Sequence, residues 1–317
     1  LEGEKIMKLR KVLAGFAVAS MLVGCGNSTD SGSTANYAKV GYAVQTHEVG
    51  SNGQVNTYAA VVGLDADDKI KYVSIDVAQQ TPTKENESTK TKKEKGDEYN
   101  MVGSSAIGKE WYEQIAALEE AMVGMTAADV KAIETYEKNE SHLAVPKEGT
   151  DLAASVSITI DGYQDVVVAA IKNAVKVDGL AKVGLGSDIS IDTTKVQVNA
   201  TFGFVGVDAD GKIVWSYIDV AQTKGEEGAA TKTKKERGTE YNMVGSSTIG
   251  KEWFEQAEAL EKAIVGMTSA DVKAIETYKK DDSHTAVPKE GTDLAASVTI
   301  TIDSYQAAIV EAISNAK

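Results

Sequence analysis

Cysteine occurs once in the 317 residues, at Cys25, and histidine three times. A single cysteine excludes an internal disulfide, so the fold must be held by its core alone. His47, His142 and His284 have no second histidine or cysteine at ligand spacing, which leaves a zinc site nothing to build on. No GxSxG, GxxxxGK[ST] or GxGxxG occurs, so a hydrolase or nucleotide-binding mechanism lacks its usual start. Positive charge is also short. Lys and Arg number 33 against 47 Asp and Glu, a formal net charge of −14, which argues against nucleic acid and against electrostatic adhesion to anionic lipid.

What is present begins with "MKLRKVLAGFAVASMLVGC", Met7 to Cys25. A short basic region leads into an apolar run too short for a stable span, the layout of a secretory signal. Its end, Leu22-Val23-Gly24-Cys25, resembles the lipobox of bacterial lipoproteins, in which the cysteine is lipidated and becomes the new N-terminus. The six residues ahead of Met7 fit no signal peptide, and Met7 is the expected start. Removing residues 1–24 takes away Lys5, Lys8, Arg10 and Lys11 against Glu2 and Glu4 and moves the net charge from −14 to −16. Residues 25–36 then form a small polar tether after the lipidated cysteine.

The rest is organised by a repeat. "AKVG" at Ala38 returns at Ala181, and "LDADDKIKYVSIDVAQ" returns as "VDADGKIVWSYIDVAQ", both 143 positions later. Aligning 89–161 with 231–303 leaves 14 differences in 73 columns. Two tandem domains of ordinary size are expected, 37–176 and 177–317. In each, alternating segments (Lys39–Gln45, Thr57–Leu64 and Ile70–Val77 in the first) predict an antiparallel meander. A lysine-rich loop, Thr81–Asn100, follows. Helices are expected over Ile107–Val123, Ala127–Thr135 (capped by Thr126 with Asp129) and Tyr163–Val175. Strands followed by helices give an α+β class.

Identity is unevenly spread. The strands have drifted to other residues of like polarity, as cores permit. "TKTKKE-G-EYNMVGSS-IGKEW" and "AVPKEGTDLAASV-ITID" are nearly unchanged although polar, which points to a shared task or to a recent duplication. In "DLAASVSITID", Val156, Ile158 and Ile160 alternate with Ser155, Ser157 and Thr159, so an extended chain would bury one face and present hydroxyls on the other.

"TDLAASVTITIDSYQAAIVEAI" resembles the C-terminal element of FMN-binding domains, as found in lipid-anchored electron-transfer lipoproteins of Gram-positive bacteria. In that family a transferase links the phosphate of FMN to a threonine six residues after an aspartate. The resemblance implies acceptors at Thr299 after Asp293 and at Ser157 after Asp151, with Thr301 and Thr159 as register alternatives on the same face. The sequence departs from the family in having Ser297-Val298 and Ser155-Val156 where Gly-Ala is usual, and serine at the first acceptor. Lys90, Lys92, Lys93 and Lys95, with Lys232, Lys234, Lys235 and Arg237, are either a cationic setting for a phosphodiester and reduced flavin or a solvated charge run. Tyr99, Met101 and Trp111, with Tyr241, Met243 and Trp253, either border the ring or belong to the core, core being favoured for the tryptophans. The implied protein carries covalent FMN on the outer face of the cell membrane, anchored by Cys25. It would receive FMN from a transferase and relay electrons from a membrane quinone-linked donor to extracellular acceptors. It is a carrier more than an enzyme with its own substrate. The alternatives are a lipid-anchored module binding a solute or cell-wall component, and a structural or adhesive surface protein.

Overall fold

The strands form because their apolar residues recur at a period of two and are rich in Val, Ile and Tyr. A computed structural model of the chain describes residues 37–317; the expected signal peptide, Cys25 and the tether lie outside the described residues. The first three strands are β1 (Lys39–Thr46), β2 (Val55–Leu64) and β3 (Ile70–Gln80). They are followed by α1 (Lys92–Lys95), α2 (Trp111–Met122), α3 (Ala127–Lys131), the short strands β4 (Thr135–Tyr136) and β5 (Val145–Pro146), α4 (Asp161–Lys172) and β6 (Val175–Lys176). The order then recurs: β7 (Lys182–Asp192), β8 (Gln197–Val207), β9 (Ile213–Lys224), α5 (Lys234–Arg237), α6 (Trp253–Ala263), α7 (Ser269–Lys273), β10 (Thr277–Tyr278), β11 (Val287–Pro288) and α8 (Asp303–Asn315). The class is α+β. One antiparallel sheet has the order β3-β2-β1-β6 and the other β7-β8-β9. Where β6 joins β1, Lys317 and Val183 exchange backbone hydrogen bonds in the second sheet.

Helix α4 covers one face of β1 and β2, and α8 one face of β7 and β8. The other faces of the two sheets meet: Val40, Val44, Val55, Ala59 and Val61 pack against Leu185, Ile189, Val198, Phe202 and Phe204. The order through the molecule is therefore helix, sheet, sheet, helix. With both faces covered, Ala59 through Leu64 are all buried, and strict polar alternation gives way to a continuous apolar run. Each valine or leucine of the run, removed from water, contributes about 1.5–3 kcal/mol. The helices sit close because glycine lies under them: a Cβ on Gly41 would collide with the carbonyl of Ala170, and one on Gly184 with that of Ala312.

The structure corrects several expected boundaries. The lysine-rich loop holds a helix, α1, because Thr91 and Glu94 form a capping box. Helix α2 begins at Trp111, not Ile107, because the backbone N–H of Glu110 turns onto the Glu113 carboxylate at 2.8 Å. Helix α3 stops at Lys131, and α4 runs Asp161–Lys172, its expected end at Val175 passing instead into β6. "DLAASVSITID" is not a strand. Leu152–Ala154 is a turn of 3-10 helix, and the chain beyond it is irregular up to α4. The turn forms because Thr150 Oγ1 accepts from the N–H of Ala153 (3.3 Å) and Val156 N–H closes on the Leu152 carbonyl (2.8 Å).

Candidate functional site

The two nearly unchanged polar segments meet in space, and the contact is the same in both halves. Gln114, on the first turn of α2, is fully buried. Its Oε1 accepts from the backbone N–H of Ser157 (2.8 Å) and from the Ser157 hydroxyl (3.3 Å). Its amide nitrogen donates to Ser105 Oγ and to the Lys109 carbonyl, both at 3.1 Å. In the second half Gln256 does the same for Thr299, at 2.8 Å to the N–H and 3.2 Å to the hydroxyl, with Ser247 and Lys251 behind it. A buried amide that finds partners for all its polar groups fixes its neighbours, whereas one left unpaired costs about 1–3 kcal/mol.

The loop before α2 is fixed from the same helix end. The Glu110 carboxylate, almost fully buried, accepts from the N–H groups of Met101 and Val102 at 2.9–3.1 Å. Glu252 does so for Met243 (2.9 Å) and Val244 (3.3 Å). On the other side, Ile160 N–H bonds the Ala144 carbonyl at 2.8 Å and Ile302 N–H that of Ala286 at 2.9 Å, tying the hydroxyl-bearing segment to the "AVP" stretch.

Of the residues singled out from the sequence, Ser157 and Thr299 are half-buried at this junction. Ser155 and Ser297 lie at the end of the 3-10 turn, Ser297 Oγ donating to the Leu294 carbonyl at 3.3 Å. Asp151 and Asp293 are exposed at its start and make no capping bond. The hydroxyls are therefore held by glutamine, and the aspartates stand apart. Val156 and Val298 turn into the core, so they do not crowd the hydroxyl. Thr159 and Thr301 have buried Oγ1 atoms without a hydrogen-bond partner.

The lysines do not form one cationic cluster. Lys90 pairs with Glu98 (2.6 Å), Lys93 with Glu119 (2.6 Å), Lys232 with Glu240 (2.9 Å) and Lys235 with Glu261 (2.5 Å). Lys92 and Lys234 differ. Their ammonium groups lie over aromatic rings: Tyr99 and Trp111 at 5.1 and 5.4 Å, Tyr241 and Trp253 at 5.2 Å each. Burial pulls both lysines down to about 8. Trp111 and Trp253 are core residues, each donating its indole N–H to a buried tyrosine hydroxyl, Tyr163 or Tyr305, at 2.8 and 2.9 Å.

Sequence reasoning missed the glutamines and the buried carboxylates. Asp76 accepts from Thr91 Oγ1 (2.8 Å) and from the N–H groups of Val77 and Lys93, and burial still pushes it up to about 6. Asp219 is likewise pushed up to about 6, and Glu261 to about 7, burial outweighing Lys235. The signal was there in "IDVAQ" and "KEW-EQ", unchanged between the halves, but polar residues in a strand or on a helix do not announce burial.

No family model matches the chain, and no solved structure does. A stretch of 41 residues, 13% of this chain, is 51% identical to part of a chlorophenol reductase of Desulfitobacterium hafniense, of whose length it spans 12%.

Proposed function

We propose that the chain is a cell-surface lipoprotein, anchored through Cys25, that carries FMN in phosphoester linkage at Thr299, and at Ser157 in its first half. In this reading it is made of two tandem FMN-binding-like domains, 37–176 and 177–317, and relays electrons from the membrane quinone pool to extracellular acceptors. The observation that carries it is the paired setting of the two hydroxyls, each half-buried and oriented by a buried glutamine. The residues present fit such a group. At the hydroxyl, the oxygen donates to Gln114 or Gln256 and receives no hydrogen bond, so its lone pairs are free to meet phosphorus. The register alternatives Thr159 and Thr301 fit poorly, since their oxygens are sealed from solvent.

FMN, when bound, supplies reversible one- and two-electron transfer. The chain's part is positional. Gln114 and Gln256 fix the oxygen, and Glu110 and Glu252 hold the Met101 and Met243 loops against the same helix end. Lys92 and Lys234, largely buried and lying over the aromatic rings, are suited to offset negative charge near them. An FMN transferase would install the group, and a quinone-linked donor would reduce it.

Intact mass of the protein taken from its native membrane, with peptide mapping of 293–317 and 151–172, tests the reading. One or two added masses of phosphoester-linked FMN, at Thr299 and at Ser157, are expected, and Thr299→Ala should remove the former only. An unmodified chain from cells with active transferase overturns the flavoprotein and leaves the solute- or cell-wall-binding module in front.

A further inference from the structure

The two sheets do not cover each other completely, and open clefts lined from both halves lie at the edge of their interface. Four wall positions of the two clefts correspond through the repeat, and three of the four carry different side chains. One, of about 360 Å³, has Tyr72, Ser74, Asp76, Lys93 and Leu185 among its walls. The other, of about 380 Å³, has Tyr42, Trp215, Tyr217, Lys235, Glu258 and Lys262. In register, Leu185 corresponds to Tyr42, Tyr72 to Trp215 and Ser74 to Tyr217, while Ala116 and Glu120 stand where the second half has Glu258 and Lys262.

The changes convert a polar hollow into an aromatic one. Trp215 and Tyr217, two residues apart on one face of β9, hold their rings nearly parallel (7°) with centroids 6.4 Å apart. Tyr42 leans across from the other sheet, 5.1 Å from Trp215 and 4.1 Å from Tyr217. All three rings are half-buried, so each keeps surface open to the cleft.

The back wall carries Lys235 and Lys262 beside Glu258 and Glu261. In the first half the Lys93 ammonium donates to both Ser74 (2.8 Å) and Glu119 (2.6 Å). In the second the serine is replaced by a ring, and Lys235 lies 3.6 Å from the Tyr217 centroid with Glu261 as its carboxylate partner. Both members of that pair are only 10% exposed. Lys235 thus retains a donor that its counterpart spends on serine. Burial also pushes the Glu261 carboxyl up to about 7, which lessens the negative charge beside Lys235. The volume lies at the small end of ligand pockets, enough for two or three fused rings.

We propose that this cleft binds a planar aromatic molecule bearing an anionic oxygen, its ring packed among Tyr42, Trp215 and Tyr217 and its oxygen facing Lys235. The site is independent of the hydroxyls discussed above, and its failure would leave the flavin reading untouched.

Isothermal titration of the full chain with 2-naphthoate, beside 2-naphthylmethylammonium, tests it. The repeat provides the control: Tyr42→Leu, Trp215→Tyr and Tyr217→Ser together install the side chains of the sister cleft. We expect 2-naphthoate to bind the wild type, with the ammonium analogue and the triple variant each weaker by at least about tenfold. No binding by the wild type at about 1 mM, equal binding by the triple variant, or equal binding of the ammonium analogue overturns the proposal. Should the triple variant lose its thermal transition, Tyr42→Leu alone is decided by the same criterion.

Discussion

The hydroxyl junction and the inter-sheet cleft lie in the same two halves yet have fared differently. At the junction the halves agree to within 0.1 Å: the glutamine lies 2.8 Å from the backbone N–H in both and 3.3 or 3.2 Å from the hydroxyl. At the cleft, seven of the ten lining residues differ from their counterparts. A buried glutamine making four hydrogen bonds cannot change without stranding some of their partners. A cleft wall facing water carries no such debt, so its side chains can be rewritten while the strands beneath keep their register.

The comparison is broken most severely at the tryptophans. Trp111→Ala and Trp253→Ala should each cost about 3–5 kcal/mol, in equal measure, since both indoles are buried and hydrogen-bonded alike. Urea unfolding checks this; a difference above about 1 kcal/mol would show that the halves are supported unequally. Gln114→Ala and Gln256→Ala come next, at about 2–3 kcal/mol each, with loss of amide protection at Ser157 and Thr299 read by hydrogen exchange. Retained protection would mean that the glutamine is not what holds the segment.

The pH dependence is smaller. Asp76, Asp219 and Glu261 hold protons more tightly folded than unfolded. Their contribution is present in full below the ordinary carboxylate range and is lost as pH rises through about 6 to 7. Stability should therefore rise on acidification from about pH 7 to about pH 5, at up to about 1.4 kcal/mol per pH unit per group. His47, held neutral by burial against Tyr58, opposes this in part. Asp219→Asn should flatten the slope and leave the variant more stable than wild type at about pH 8, by up to about 2 kcal/mol. An unchanged slope in thermal melts would remove Asp219 from the account. Lys92 and Lys234 act at the other end. Their folded forms shed protons near 8, so stability should climb again above that pH as the unfolded chain stays charged.

The smallest effect is at the hydroxyls. Ser157→Ala and Thr299→Ala keep the backbone bond to glutamine and should cost less than about 1 kcal/mol. A larger loss in chemical denaturation would make these hydroxyls structural.

Much of the fold was legible in the residues. The three long strands of each half fall close to their expected spans, because a period of two over eight or more residues has few other solutions. The Thr126–Asp129 cap was legible because it is local. The reading of "DLAASVSITID" as a strand failed because its alternation was genuine but its conformation was not. A 3-10 turn capped by Thr150 also buries Val156 and Ile160. Hydrogen bonds to Gln114, 43 positions away, could not be weighed from the segment itself.

By itself, then, the sequence determined the repeat, the α+β class, the acidic surface and the pair of hydroxyls at matching positions, since each depends on composition, period or local register. Only the tertiary structure decided which groups those hydroxyls touch, that Lys92 and Lys234 would lie over aromatic rings, and that Tyr42 would cross to Trp215 and Tyr217 from another sheet. These are contacts between residues far apart along the chain. They are selected by how two apolar sheet faces exclude water from one another, and no local pattern encodes that.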